Sequence, residues 1–252
     1  MIQASPPCAF VPGASSNVTV HMVSSSDLTV LLAQDIAQRL RAAIQARGFA
    51  VLSVSGGKSP IALFEALREF PLDWSCVRVT LVDERCVPCT HPDSNALLVQ
   101  THLLQGQAHS AQWVPMVKDA AEPLPAPALL AEAANMDLQA AGTTDVLVLG
   151  MGADGHTASL FPDATNLAEA MDLQNTQACM AIELPHPPAN APYQRLTQTL
   201  ARLLGARHIV LPVQGADKLN TLRQAWRNPG NQYPISRVLH QTQTPVALWI
   251  AS

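Results

Sequence analysis

Three short stretches carry the residue types that chemistry on a small polar molecule needs. The first is LGMGADGHTASLFP (residues 149–162), which places Asp154 and His156 among Gly150, Gly152 and Gly155. An imidazole ordinarily titrates near ~6.5, so a histidine here can accept a proton from water at neutral pH, and a carboxylate two residues away can orient it or a substrate. Three glycines within six residues imply a backbone brought close to something, and a bound ligand is the economical explanation. The alternative is a loop histidine that caps the next helix. Glycine richness and a titratable pair at the end of an apolar run together favour catalysis by His156 and Asp154.

The second stretch is SGGKSP (residues 55–60). Gly56 and Gly57 allow close backbone approach, and amides at a helix start attract anions, so the turn with Lys58 and Ser59 can hold a phosphate. It has neither the GxxxxGK[ST] nor the GxGxxG spacing, so no nucleotide is implied. An ordinary strand-to-helix turn that binds nothing is an equal reading. The third stretch is DERCVP (residues 83–88), which sets Asp83, Glu84 and Arg85 just beyond another apolar run. Ligands gather at the carboxyl ends of parallel strands, although by itself the stretch also reads as a solvated loop with a surface ion pair. Arg195 in YQRLTQT and Lys218 in VQGADK could neutralise a phosphate, and singly each reads as a surface cation.

These groups need a frame. The apolar runs at 18–23, 50–54, 77–82, 145–150, 179–184, 208–213 and 246–251 alternate with amphipathic stretches, and several are continuously apolar, as strands covered on both sides should be. The pattern predicts an α/β fold: a mostly parallel, doubly wound sheet with helices on both faces. A helix begins at Asp27 with Ser26 as its cap, carries the stripe Val30, Leu31, Ile36, Ala37, Leu40 and Ile44, and ends at Gly48. Further helices are expected at 60–67, 94–104, 127–140, 197–204 and 216–226. The segment AAEPLPAP (120–127) reads as a loop, so all 252 residues form one domain, with residues 1–16 a loosely ordered lead-in.

Composition limits the partners. Fifteen Lys and Arg against nineteen Asp and Glu give a net charge of −4 without a basic stripe, which argues against nucleic acid. No stretch is apolar enough to predict a membrane span. Five cysteines, an odd number, suit a reducing compartment, and the chain is placed in the cytoplasm. The CVPC spacing of Cys86 and Cys89 has Pro88 between its thiols and no second CxxC, so it reads as two unpaired loop cysteines and no metal site is expected.

The segments SGGKSP, DERCVP, Ser94-Asn95, LGMGADGHTASLFP, RLT and the GADK lysine occur in this order over nearly the whole chain. In this the sequence resembles the 6-phosphogluconolactonases, which share a Rossmann-related fold with the glucosamine-6-phosphate deaminases. The family usually has Ser-Thr where this chain has Lys58-Ser59. The resemblance implies hydrolysis of 6-phosphoglucono-δ-lactone in the pentose phosphate pathway, with no cofactor, in a monomer or small homo-oligomer. His156 would be the base, with Asp154 close by. Gly56, Gly57, Lys58 and Ser59 would meet the phosphate with Arg195 and Lys218, while Asp83, Glu84, Arg85, Asn95 and Gly152 would line the rest of the substrate cleft. The deaminases continue from their Asp-Gly-His loop with Ile-Ala-Phe-Asn-Glu-Pro, and Phe161 stands here in place of that glutamate, so ring opening would lack its proton carrier. A non-catalytic sugar-phosphate sensor is the reading from another class, and the intact Asp154 and His156 count against it.

Overall fold

The computed structural model describes residues 17–118, 122–189 and 191–251. The expected lead-in, together with Cys8, lies outside them. In chain order the elements are β1 (Val18–Val23), α1 (Leu28–Arg47), β2 (Ala50–Val54), α2 (Ile61–Leu67), β3 (Val77–Leu81), β4 (Asp83–Arg85), α3 (Asn95–His102), β5 (Gln112–Val114) and α4 (Pro127–Ala141). Then follow β6 (Val146–Val148), α5 (Leu167–Ala170), β7 (Cys179–Ile182), β8 (Arg195–Gln198), α6 (Leu200–Leu204), β9 (Ile209–Gln214), α7 (Ala216–Arg227), α8 (Ile235–His240) and β10 (Val246–Ala251).

Seven strands form one sheet in the order β1-β10-β9-β6-β2-β3-β5, and every pairing in it is parallel. Successive side chains on a strand point to opposite faces, so a continuously apolar strand must feed two cores. Along β6, Val146 and Val148 join a core shared with α1 to α4. The neighbouring Leu147 and the following Leu149 join a second core with α6, α7 and α8. The doubly wound α/β arrangement follows from that alternation.

From β2 the chain winds outward through β3 to β5, then returns to β6 on the other side of β2 and winds the opposite way to β9 and β10. The sheet's topological switch therefore lies between β2 and β6, where the loops at the carboxyl ends diverge and leave a crevice. Ser55 ties the two strand ends together: its amide and hydroxyl donate to the Val148 carbonyl at 3.0 and 3.1 Å, and its hydroxyl accepts from the Gly150 amide at 2.9 Å.

Several expectations need correction. The run from Cys179 lies outside the parallel sheet, in a three-stranded antiparallel sheet of order β4-β8-β7. Asp83–Arg85 is strand β4 in that sheet rather than a loop. Residues expected to open a helix at 197 instead form β8, and the helix starts at Leu200 with Thr199 as its cap. At the start of α1 the cap residue is Asp27, whose amide bonds to Ser24, and Ser26 does not cap. The buried face of α1 accordingly runs through Leu28, Leu32, Ala33, Ile36, Ala37, Leu40 and Ala43, leaving Val30 and Leu31 exposed. Its C-terminal end at Gly48, with φ of 80°, is as expected.

Candidate active site

A cavity of about 620 Å³ opens at the carboxyl ends of the parallel strands. Its walls come from four strand ends: Ser55, Gly56, Gly57 and Ser59 after β2, Asp83 and Arg85 after β3, Gly150, Gly152 and His156 after β6, and Lys218 after β9. Asn95, Phe161, Arg195 and Gln214 add to the polar and aromatic lining. Segments as far apart in the chain as Ser55 and Lys218 therefore meet around one volume of small-ligand size.

The loop after β6 holds its histidine by its own bonds. The Thr157 hydroxyl donates to the Gly150 carbonyl at 2.8 Å, the Gly152 amide to the His156 carbonyl at 2.9 Å, and the Thr221 hydroxyl to the Ala153 carbonyl at 2.7 Å. His156 Nδ1 lies 2.5 Å from Asp154 Oδ1. Burial raises the Asp154 carboxyl, but the hydrogen bond and charge of His156 outweigh this and hold it below the usual carboxylate range. With Nδ1–H donated to the carboxylate, Nε2 keeps the free lone pair. The Phe161 ring packs against the imidazole, with centroids 4.3 Å apart.

The glycines of this loop have separate causes. A Cβ on Gly152 would lie 2.2 Å from His156 Nδ1 and 2.6 Å from Asp154 Oδ1. The crowding that demands glycine at 152 thus comes from the protein's own histidine–aspartate pair, not from a ligand. Gly155 instead adopts a φ of 81° and faces Tyr233.

Across the cavity, β4 and β8 pair so that Arg85 is directly opposite Arg195. Like charges facing each other across a ribbon repel, and a bound anion relieves that repulsion. Each guanidinium is steadied by one carbonyl, Asp93 for Arg85 at 2.5 Å and Ala191 for Arg195 at 3.1 Å, and each Nε is buried without a partner. Burial pushes Arg195 down from its ordinary value and Asp83 partly restores it; an arginine remains charged under either influence. Among the described residues no carboxylate forms an ion pair with Arg85, Arg195 or Lys218. Asp83 faces the same cavity, held by the Ser159 hydroxyl at 2.6 Å.

Three sequence-designated residues do not line the cavity. Lys58 is exposed and turned away from the cavity, which Ser55, Gly56, Gly57, Ser59 and Pro60 of that segment line. Asp154 sits behind His156, consistent with orienting the ring rather than touching a ligand. Glu84 is fully buried beneath the wall, because successive strand residues face opposite ways and Asp83 and Arg85 take the cavity side. Residues that sequence reasoning passed over are Ser159, Gln214 and Tyr193, whose hydroxyl donates to Asp93 Oδ2 at 2.7 Å and joins the loops after β4 and before β8. Ser159 follows His156 by three residues, a spacing that could have flagged it; the other two have no local signal.

Cys86 and Cys89 are unpaired. Burial, helped by Glu84, pushes the Cys86 thiol up to about 12, the opposite of what a reactive thiolate needs. Among the described residues no group of histidine, cysteine or carboxylate side chains is arranged to hold a metal, and no helix is long and apolar enough to cross a membrane.

Fold and site together define a class: an open, doubly wound α/β protein whose cationic small-molecule cleft lies at the topological switch and contains one carboxylate-oriented histidine. Residues 24–249 match the family described as glucosamine-6-phosphate isomerases/6-phosphogluconolactonase, and the chain belongs to that family. It is 47% identical over 225 residues to a 6-phosphogluconolactonase of Pseudomonas putida, covering 88% of this chain and 90% of the relative. A 6-phosphogluconolactonase of Mesorhizobium japonicum is 45% identical over 228 residues, covering 89% and 91%. Among solved structures, a 6-phosphogluconolactonase from Shewanella baltica superposes with a TM-score of 0.82 at 36% identity, covering 94% of this chain and 99% of that one.

Proposed function

We propose that this protein hydrolyses 6-phosphoglucono-δ-lactone to 6-phosphogluconate, the reaction for which its 6-phosphogluconolactonase relatives are named. The observation that carries the reading is the shared cavity: an anion-holding wall and the free nitrogen of an oriented imidazole line one volume. The substrate phosphate meets the backbone of Gly56 and Gly57, the Ser59 side chain and the cations Arg195 and Lys218. Arg85, opposite Arg195, serves the phosphate or the new carboxylate.

His156 Nε2 takes a proton from water as the water oxygen bonds to the lactone carbonyl carbon. The tetrahedral intermediate collapses by breaking the bond from that carbon to the ring oxygen, which takes the proton back from the imidazolium. Asp154 holds the ring in the reactive tautomer and stabilises the transient cation, as a triad aspartate does. An activated ester needs no covalent intermediate, so a single base supplies the proton transfers, and the chain's own residues require no cofactor for this step.

Phe161 disfavours amino-sugar ring opening on the same fold, because the ring beside His156 has no proton to exchange. We place the enzyme in the cytoplasm, as a monomer or small homo-oligomer acting on a soluble sugar phosphate. The test is a comparison of freshly prepared 6-phosphogluconolactone with unphosphorylated gluconolactone over the spontaneous background. The account expects a large preference for the first, and ammonia release from glucosamine 6-phosphate without lactone opening would replace it.

A further inference from the structure

Glu84 lies outside the cavity yet, among the described residues, its carboxylate accepts more hydrogen bonds than that of Asp83 or Asp145, the other buried acids. Glu84 is fully buried. Its Oε1 accepts from the amides of Arg85 at 2.6 Å and Asn95 at 2.8 Å, and its Oε2 from the Ala96 amide at 2.7 Å and the Ser94 hydroxyl at 3.0 Å. Ser94 also caps α3 through Ala96 and Leu97. One carboxylate therefore fixes the first residues of α3 to the end of β4. A buried charge is costly unless fully bonded, and a fully satisfied buried network of charge-assisted bonds rigidifies the groups it joins.

What Glu84 fixes is Asn95. That side chain is 2% exposed, donates from Nδ2 to the Asp83 carbonyl at 2.9 Å, and has a buried Oδ1 without a partner. It presses on the phosphate turn: a Cβ built at Gly56 would stand 1.9 Å from Asn95 Oδ1. The Asn95 amide thus sets how far the Gly56 backbone can retreat from the cavity, and Glu84 sets where the Asn95 backbone stands.

We propose that Glu84 is a positioning residue for the phosphate end of the substrate, acting through the Asn95 backbone and side chain on the depth of the Gly56 turn. The proposal rests on the reading that the 55–60 turn holds the phosphate. It separates Glu84 from its chain neighbours Asp83 and Arg85, which face the ligand directly, and it predicts an effect on binding rather than on the proton transfer at His156.

The test uses the full chain as wild type, Glu84→Gln and Ser94→Ala, with three readouts: kcat and KM for 6-phosphogluconolactone, KM for unphosphorylated gluconolactone, and competitive inhibition by inorganic phosphate. The kinetics are read above pH 7, where Glu84 is ionised; there glutamine turns one acceptor into a donor facing two other donors, which disturbs the bonds that hold residues 94–96 to β4. For Glu84→Gln the expected result is a KM for the phosphorylated lactone and an inhibition constant for phosphate both raised about 10-fold, with kcat within about 3-fold and KM for the unphosphorylated lactone unchanged. Ser94→Ala removes a donor without burying a new one, and should move the same two constants in the same direction by about 3-fold; it carries the test if Glu84→Gln fails to fold. A loss of kcat with both constants unchanged would overturn the proposal, as would equal losses on both lactones. Tighter phosphate binding, which simple removal of a negative charge near Arg195 would produce, would overturn it too. A wild-type enzyme indifferent to substrate phosphorylation and to inorganic phosphate would overturn the reading of the turn itself, and the proposal with it.

Discussion

His156 Nδ1 and Asp154 Oδ1 stand 2.5 Å apart, and the absence of a side chain at Gly152 is what lets them do so. The pair and the glycine form one packed unit at the end of β6. Glycine 152 therefore belongs to the imidazole's support, and its substitution should act on the chemistry without contact to a ligand.

Gly152→Ala should lower kcat by roughly the factor that removing the proposed base does, about 10²-fold or more, because the new methyl displaces both members of the histidine–aspartate pair. Its fold should persist, since the residue has an ordinary φ. Steady-state kinetics beside a circular dichroism melt checks this; an alanine variant with parental kcat would contradict it.

Replacing the proposed base itself gives the scale. His156→Ala should lower kcat by about 10²–10⁴-fold with little change in KM, and Asp154→Asn by about 10–10²-fold, since an amide can still accept from Nδ1–H but can also present its NH₂. The coupled assay with 6-phosphogluconate dehydrogenase reads both. A larger loss for Asp154→Asn than for His156→Ala would exchange their roles.

The facing arginines should be separable by substrate. Arg195→Met should raise KM for the phosphorylated lactone by at least about 10-fold and weaken inhibition by inorganic phosphate, because a charge-assisted contact in a partly buried site is lost. Arg195→Lys should recover only part of this, as an ammonium cannot reproduce the fork of the guanidinium. Unchanged phosphate inhibition in Arg195→Met would place the anion elsewhere.

Glu84 should also leave a signature in stability. Burial pushes its carboxyl up from 4.5 to about 7, against four hydrogen bonds that pull it down. The folded protein then holds this proton more tightly than the unfolded chain does. The stability contributed by the group is full below pH 4.5 and declines as pH rises toward 7, then levels off. Glutamine cannot titrate, so the stability advantage of wild type over Glu84→Gln should shrink between pH 5 and 8. Urea midpoints across that range measure it, and an advantage that grows with pH would reverse the sign.

The parallel core was legible because a strand covered on both sides is mostly apolar: 209–213 and 246–251 are apolar throughout, 50–54 departs only at Ser53, and 77–81 carries Arg78 and Thr80 between its apolar positions. The C-terminal signal of α1 read correctly at Gly48, where a positive φ decides the outcome, whereas Ser94, expected as the first residue of its helix, is that helix's cap. What could not be read is held by pairing rather than pattern. Asp83–Arg85 has no strand composition and becomes one only by bonding to β8; that pairing alone decides that Glu84 faces inward while Asp83 and Arg85 face the cavity. The start of α1 misled for a related reason: several serines precede it, and which one receives the Asp27 amide depends on the path of the chain leaving β1. His156, Arg195 and the 55–60 turn were identifiable as separate candidates, but nothing local to any of them shows that they share a cavity.

The most direct test of that convergence is the ratio of kcat/KM for 6-phosphogluconolactone to that for unphosphorylated gluconolactone, measured in wild type and in His156→Ala. The account predicts a wild-type ratio of at least about 10², with inhibition by inorganic phosphate intact in the variant while turnover of both lactones collapses toward background. A wild-type ratio near one, or His156→Ala turning over either lactone at the parental rate, would contradict it.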